Sequence, residues 1–166
     1  MLHSLKRATG SVVRVERDYK APPEKIFDAW LDPVLVSAWM APGSIEGGAE
    51  IEPRKGGRYR ITHSSDGKQI GGFDAQIVEM DRPRRLVFAW GFLGPDGERG
   101  FVRPDGERAA NLDSRLTITL QALPSGTRLL LVHEELDDLA AALPDIAELV
   151  ESGWQNVLEK LAGVVE

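Results

Sequence analysis

A stripe of apolar residues near the C-terminus constrains this chain more than any other feature. Ile146, Leu149, Val150, Gly153, Trp154, Val157, Leu158 and Leu161 recur at steps of three and four, the spacing that sets side chains along one side of a helix. A helix with such a stripe has to be covered. The segments before it, from the first strand to the Leu/Val-rich stretch GTRLLLVHEEL at 126–136, read as short alternating strands. The economical cover is therefore a curved antiparallel sheet that closes over the helix. That arrangement leaves an apolar cleft between sheet and helix and implies a container.

The length of 166 residues suits one domain, read as residues 11–166 behind an N-terminal extension of residues 1–10. A net charge of −6 and a pI near 5.2 do not supply the basic face that nucleic acid or an anionic membrane surface attracts. Cysteine is absent, which excludes disulfides, thiolate nucleophiles and Cys-ligated zinc. No apolar run approaches the roughly 20 residues that span a bilayer. The opening MLHSLKRATG has no long apolar core of a signal peptide, so the expected compartment is the cytoplasm. Homodimerisation is left open by the sequence.

Along the chain, Val13 and Val15 alternate with Arg14 and Glu16 in a first strand. Ala21-Pro22-Pro23 ends it and starts a short helix with Ile26, Phe27, Trp30 and Leu31 on its apolar face. Asp32 followed by Pro33 is a helix start signal, so a second short helix carrying Leu35, Val36 and Trp39 should follow. Strands are expected at 45–53, 57–64, 69–81, 84–92, 112–123 and 127–136, separated by turn-forming clusters such as SerAspGly and ProSerGly. These six make a meander. The glycine pairs at 47–48, 56–57 and 71–72 read as bulges and turns that let the sheet curl. ProAspGlyGluArg occurs twice, at 95–99 and 104–108, and reads as turn chemistry in a hairpin extension or loop. Pro144-Asp145 marks the expected start of the long helix.

The order of strand, two short helices, meander and C-terminal helix resembles the helix-grip fold of the START-like, or SRPBCC, superfamily, shared with the birch-pollen allergen. More closely, APPEKIFDAWLDP at 21–33, WMAP at 39–42, EPRKGG at 52–57, AQIVEMDRPRRLVFAW at 75–90, GTRLLLVHE at 126–134 and GWQNVLEKLA at 153–162 resemble one family within it. That family is named after the C-terminal domain of the activator of the heat-shock-protein ATPase. Met40 and Ala41 replace its usual Trp-Gly, and Ala75 stands where Gly is common. The resemblance implies an α+β helix-grip fold. It transfers little function, because such folds host lipid carriers, hormone receptors, cyclases, hydrolases and co-chaperone modules.

The chemistry open to the chain therefore depends on its individual residues. No Gly-x-Ser-x-Gly elbow, phosphate-binding glycine loop or His-Glu-x-x-His helix is present. His3, His63 and His133 are too dispersed for metal-ligand spacing, so neither a metal nor a cofactor is expected. Strand alternation puts Tyr59, Ile61 and His63 on one face, and Leu86, Phe88, Trp90 and Phe92 on the face of another strand. Cavity candidates are Trp39, Tyr59, Ile61 and Phe73, the aromatic wall of Phe88, Trp90 and Phe92, and Leu116, Ile118, Leu129, Leu131 and His133 on the last two strands. Trp154 and Val157 complete the set from the helix. Asp74 and Glu79 flank a change of phase between Ile77 and Val78, the mark of a bulge that would turn one carboxylate inward.

Two functional classes fit these residues. In the preferred one the chain holds a small apolar or aromatic molecule, and polar groups orient it without chemistry. In the other, a cyclase- or hydrolase-like enzyme uses His63, Asp74, Glu79 or His133 as acid or base. A chaperone-interacting module is a third reading, carried by the family name alone.

Overall fold

The computed structural model describes residues 12–41, 45–94, 101–102, 107–109, 114–142 and 144–166. The expected N-terminal extension and most of the repeat-bearing stretch lie outside the described residues, as does the side chain of Ile146. Seven strands form one antiparallel sheet: β1 (Val13–Tyr19), β2 (Glu46–Ile51), β3 (Arg58–Ser65), β4 (Lys68–Asp81), β5 (Arg85–Leu93), β8 (Ser114–Leu123) and β9 (Gly126–Glu134). Their order is β1-β9-β8-β5-β4-β3-β2. The meander thus pairs neighbour with neighbour, and β1 closes onto β9 at the far side, with Val13 opposite His133 and Tyr19 opposite Thr127. A separate ribbon pairs β6 (Phe101–Val102) with β7 (Arg108–Ala109), which takes in the last residue of the second pentapeptide copy.

Two irregularities interrupt the pairing of the long strand β4 with its neighbours. The β3–β4 register shifts between His63 and Ser64, and the β4–β5 register shifts between Ile77 and Glu79. The second is the bulge that the phase change in the sequence marks. It sets Met80 against the core and leaves Val78 exposed. Gly72, paired with Thr62 beside the first irregularity, has φ +147°, and a Cβ there would lie 2.0 Å from the carbonyl oxygen of Ile61. Only glycine allows that approach.

Helix α1 (Pro23–Leu31) buries Ile26, Phe27, Ala29 and Trp30. Asp32 caps α2 (Pro33–Trp39) by accepting hydrogen bonds from the amides of Val34 and Leu35, as Asp-Pro at a helix start favours. The C-terminal segment departs from the single long helix expected from Pro144. After α3 (Asp137–Ala142) come α4 (Pro144–Glu148) and α5 (Val150–Val165), with a turn at Leu149 between the last two. Asp137 and Asp138 occupy the first turn of α3, where the positive end of the helix dipole favours carboxylates. Leu149, counted in the apolar stripe, sits at the α4–α5 break and is 61% exposed.

The core lies between the concave sheet and α5. Trp154, Val157, Leu158, Leu161, Ala162 and Val165 are buried on the helix, facing Leu116, Ile118, Leu129 and Leu131 of the sheet in one cluster. Two tyrosines tie sheet to helices. Tyr19 donates to the carbonyl of Leu158 at 2.8 Å, and Tyr59 donates to the carbonyl of Trp30 at 2.6 Å.

Candidate functional site

The strands set the wall of a cavity where the helices stop covering them. At one end of the concave face a space of about 310 Å³ is enclosed by Phe73, Trp90, Phe92, His63 and His133 from the sheet, and by Val150, Gly153, Trp154 and Val157 from α5. Met40, at the end of α2, closes its inner side, and Ile70, Gly71, Gly72, Leu93 and Leu149 complete its lining. Ile70 and Leu149 are exposed, which places them at its mouth. The walls are aromatic and aliphatic, with two imidazoles among them.

His133 is buried near the end of β9 and points toward α5, as its alternation with Leu129 and Leu131 suggests. Both of its ring nitrogens are engaged. Trp154 donates its indole N–H to Nδ1 at 3.0 Å, and Nε2 lies 2.6 Å from the hydroxyl of Ser114. An indole nitrogen only donates, so Nδ1 is the unprotonated nitrogen and Nε2 carries the proton of the neutral ring. Ser114 accepts a hydrogen bond from that N–H and donates its own hydroxyl hydrogen to the carbonyl of Trp90 at 3.3 Å. The chain of donors runs from α5 across β9 and β8 to β5 with every member satisfied. Burial pushes the His133 imidazole down to about 3, in keeping with a neutral ring.

A serine beside a histidine is also the start of a nucleophilic site, and here the tautomer argues against that use. A base must accept the hydroxyl proton at the nitrogen facing it. Nε2 already holds a proton, because Trp154 occupies Nδ1. Ser114 is itself buried in the sheet, so the pair acts as a clamp between helix and strands.

His63 has a different environment. Its Nε2 lies 3.3 Å from the carbonyl oxygen of Met40, and a carbonyl accepts only, so Nε2 carries the proton of the neutral ring. Burial lowers its affinity for a second proton, the Met40 carbonyl opposes that, and the charge of Lys160 adds to the lowering. Lys160 donates to the carbonyl of Ala41, which anchors α5 to the end of α2. The His63 ring packs edge-on against Phe73, centroids 5.3 Å apart.

The two acidic candidates fall elsewhere. Asp74 lies on the opposite side of β4 from Phe73 and Ala75, 3.5 Å from the guanidinium of Arg60. Glu79 is on the surface beside Arg85 at 3.3 Å. The bulge that was expected to turn a carboxylate inward instead returns Met80 to the core, because an apolar side chain gains from burial and a carboxylate loses. No group of three or more metal-ligating side chains occurs among the described residues; His3 lies outside them.

Of the cavity candidates, Phe73, Trp90, Phe92, His133, Trp154 and Val157 line the space. Trp39, Tyr59, Ile61 and Phe88 are packed into the main core instead, together with Leu116, Ile118, Leu129 and Leu131. The reason is Trp30. Its ring lies 4.7 Å from Trp39, 6.2 Å from Phe88 and 6.3 Å from Trp154 between centroids, so α1 fills the part of the concave face that those residues border. Reasoning from sequence missed Ser114, although it shares strand parity with Leu116 and Ile118. The cavity candidates also left out Met40, Ile70, Gly71, Gly72, Leu93, Leu149, Val150 and Gly153, of which Leu149, Val150 and Gly153 stood in the helical stripe.

Solved structures share this architecture. A protein from Chromobacterium violaceum is 29% identical, with a TM-score of 0.72 over 94% of this chain and 97% of that one. Proteins from Arthrobacter aurescens and Mycobacterium smegmatis, each 18% identical, give TM-scores of 0.74 and 0.73, cover 95% and 93% of this chain and 87% and 90% of their own, and support the fold alone. Among curated proteins no sequence matches. The fold is the helix grip of the START-like superfamily. With a family model matching residues 20–166, the chain belongs to the family of activator of Hsp90 ATPase homolog 1-like proteins.

Proposed function

We propose that this protein binds a small apolar or aromatic molecule in the cavity between the sheet and α5, and does so without transforming it. The observation that carries the reading is the cavity of about 310 Å³ walled by Phe73, Trp90, Phe92, Trp154 and Val157, a volume within the usual range of about 300–1,000 Å³ for ligand sites. The polar candidates support binding over catalysis. Asp74 and Glu79 do not line the space, and His133 has both nitrogens committed.

Thermal unfolding in the presence of a library of apolar and aromatic compounds tests this. A ligand held at about a hundred times its Kd should add about 2.7 kcal/mol of stability, seen as a raised Tm. Native mass spectrometry of the purified protein should show added mass that leaves on denaturation. A library that moves Tm nowhere, with no retained mass, would sink the proposal.

A further inference from the structure

We infer that the cavity selects an apolar body carrying one hydroxyl or N–H donor, which His63 accepts at Nδ1. The inference rests on the container reading above and names the chemistry of its occupant. Two imidazoles line the space, and their nitrogens are not equivalent. On His133, Trp154 holds Nδ1 and Ser114 holds Nε2, so that ring contributes surface but no free lone pair. On His63, the Met40 carbonyl holds Nε2 as a donor, and among the described residues no group bonds Nδ1. A neutral ring that donates through one nitrogen accepts through the other. The burial of the ring works against a second proton on it more than the Met40 carbonyl favours one, and the charge of Lys160 adds to that, which keeps Nδ1 an acceptor.

The consequence for a ligand is directional. A phenol, an alcohol or a ring N–H satisfies Nδ1 on entering. A methyl ether of the same ring system puts a methyl group where that proton was, so it covers Nδ1, strips it of water and gives nothing back, and an unmet buried acceptor is costly. That loss adds to whatever the apolar walls select by shape. A carboxylate has no proton to offer and would leave its own charge in an apolar space.

The test uses 2-naphthol, 2-methoxynaphthalene and naphthalene, with Kd measured by calorimetry on the full chain. In the parent protein 2-naphthol should bind about tenfold more tightly than 2-methoxynaphthalene. In His63→Leu that ratio should fall to within about threefold while naphthalene still binds, since the apolar walls persist. His63→Gln, whose amide donates to the Met40 carbonyl and keeps an acceptor oxygen, should retain much of the preference and serves if the leucine variant does not fold. Equal binding of naphthol and its ether by the parent overturns the donor assignment and leaves the container standing, as does a preference that His63→Leu or His63→Gln leaves untouched in the first case or abolishes in the second. Failure of all three compounds to bind overturns the container, and this inference with it.

Discussion

At the scale of single residues, the neutral tautomer of His133 has a measurable cost in acid. Its imidazole is held at about 3 in the folded chain, against about 6.5 when exposed, so between those values the unfolded chain binds the extra proton. The stability supplied by the neutral ring is complete above pH ~6.5 and is lost as pH falls toward 3, with a limiting slope of about 1.4 kcal/mol per pH unit. Denaturant titrations from pH 7 to pH 4 should therefore show a steady loss, shallower in His133→Gln, which bonds Trp154 and Ser114 without titrating. Parallel slopes in parent and variant would refute the buried neutral ring. The inward direction of His133 was legible from strand alternation. Its partners were not, because Ser114 and Trp154 lie on other elements, and neither spacing nor period reports which side chains meet across a core.

At the scale of elements, α5 shows how far a period can be trusted. The stripe from Val150 to Leu161 describes the buried face of one helix. Its extension back to Leu149 and beyond runs through a break, and no proline or glycine marks position 149. Consecutive helical pieces keep the same spacing, so periodicity alone does not show where one stops. Gly153 is the telling residue of this helix. A Cβ added there meets nothing within 4 Å, and the residue lines the cavity. Glycine inside a helix costs about 0.5–1 kcal/mol relative to alanine, so Gly153→Ala should stabilise the protein by about that amount. Gly163, also free of neighbours within 4 Å but outside the cavity lining, is the matched control. Both variants should raise the denaturation midpoint, and only Gly153→Ala should weaken naphthalene binding. Equal effects on binding would show that the helix face at 153 does not bound the ligand space.

At the scale of the whole molecule, frame and cavity are separate parts of one concave surface. The family motifs and the six-strand meander were legible because turns, caps and alternation are local signals, whereas the pairing of β1 with β9 joins strands far apart in the chain. The boundary between filled and empty core was not, since it depends on how Trp30 and Trp39 of the short helices pack against Phe88 and Trp154. Tyr59 belongs to the frame. Its hydroxyl meets the carbonyl of Trp30, which lies in the last turn of α1 where carbonyls lack helical partners. Tyr59→Phe should cost about 1–3 kcal/mol in urea unfolding and leave the affinity for naphthalene unchanged. A large change in affinity with little loss of stability would reverse the division between frame and cavity.

The four tryptophans of the chain form a continuous line of ring contacts, Trp39 to Trp30, Trp30 to Trp154 and Trp154 to Trp90, at 4.7, 6.3 and 5.5 Å between centroids. Indoles this close exchange excitation faster than they emit, so the protein's light comes from a coupled set rather than from independent fluorophores. A molecule lodged beside Trp90 and Trp154 touches only one end of that line. Its arrival will nevertheless be written into the emission and the near-ultraviolet circular dichroism of all four, which makes the protein its own optical reporter of occupancy.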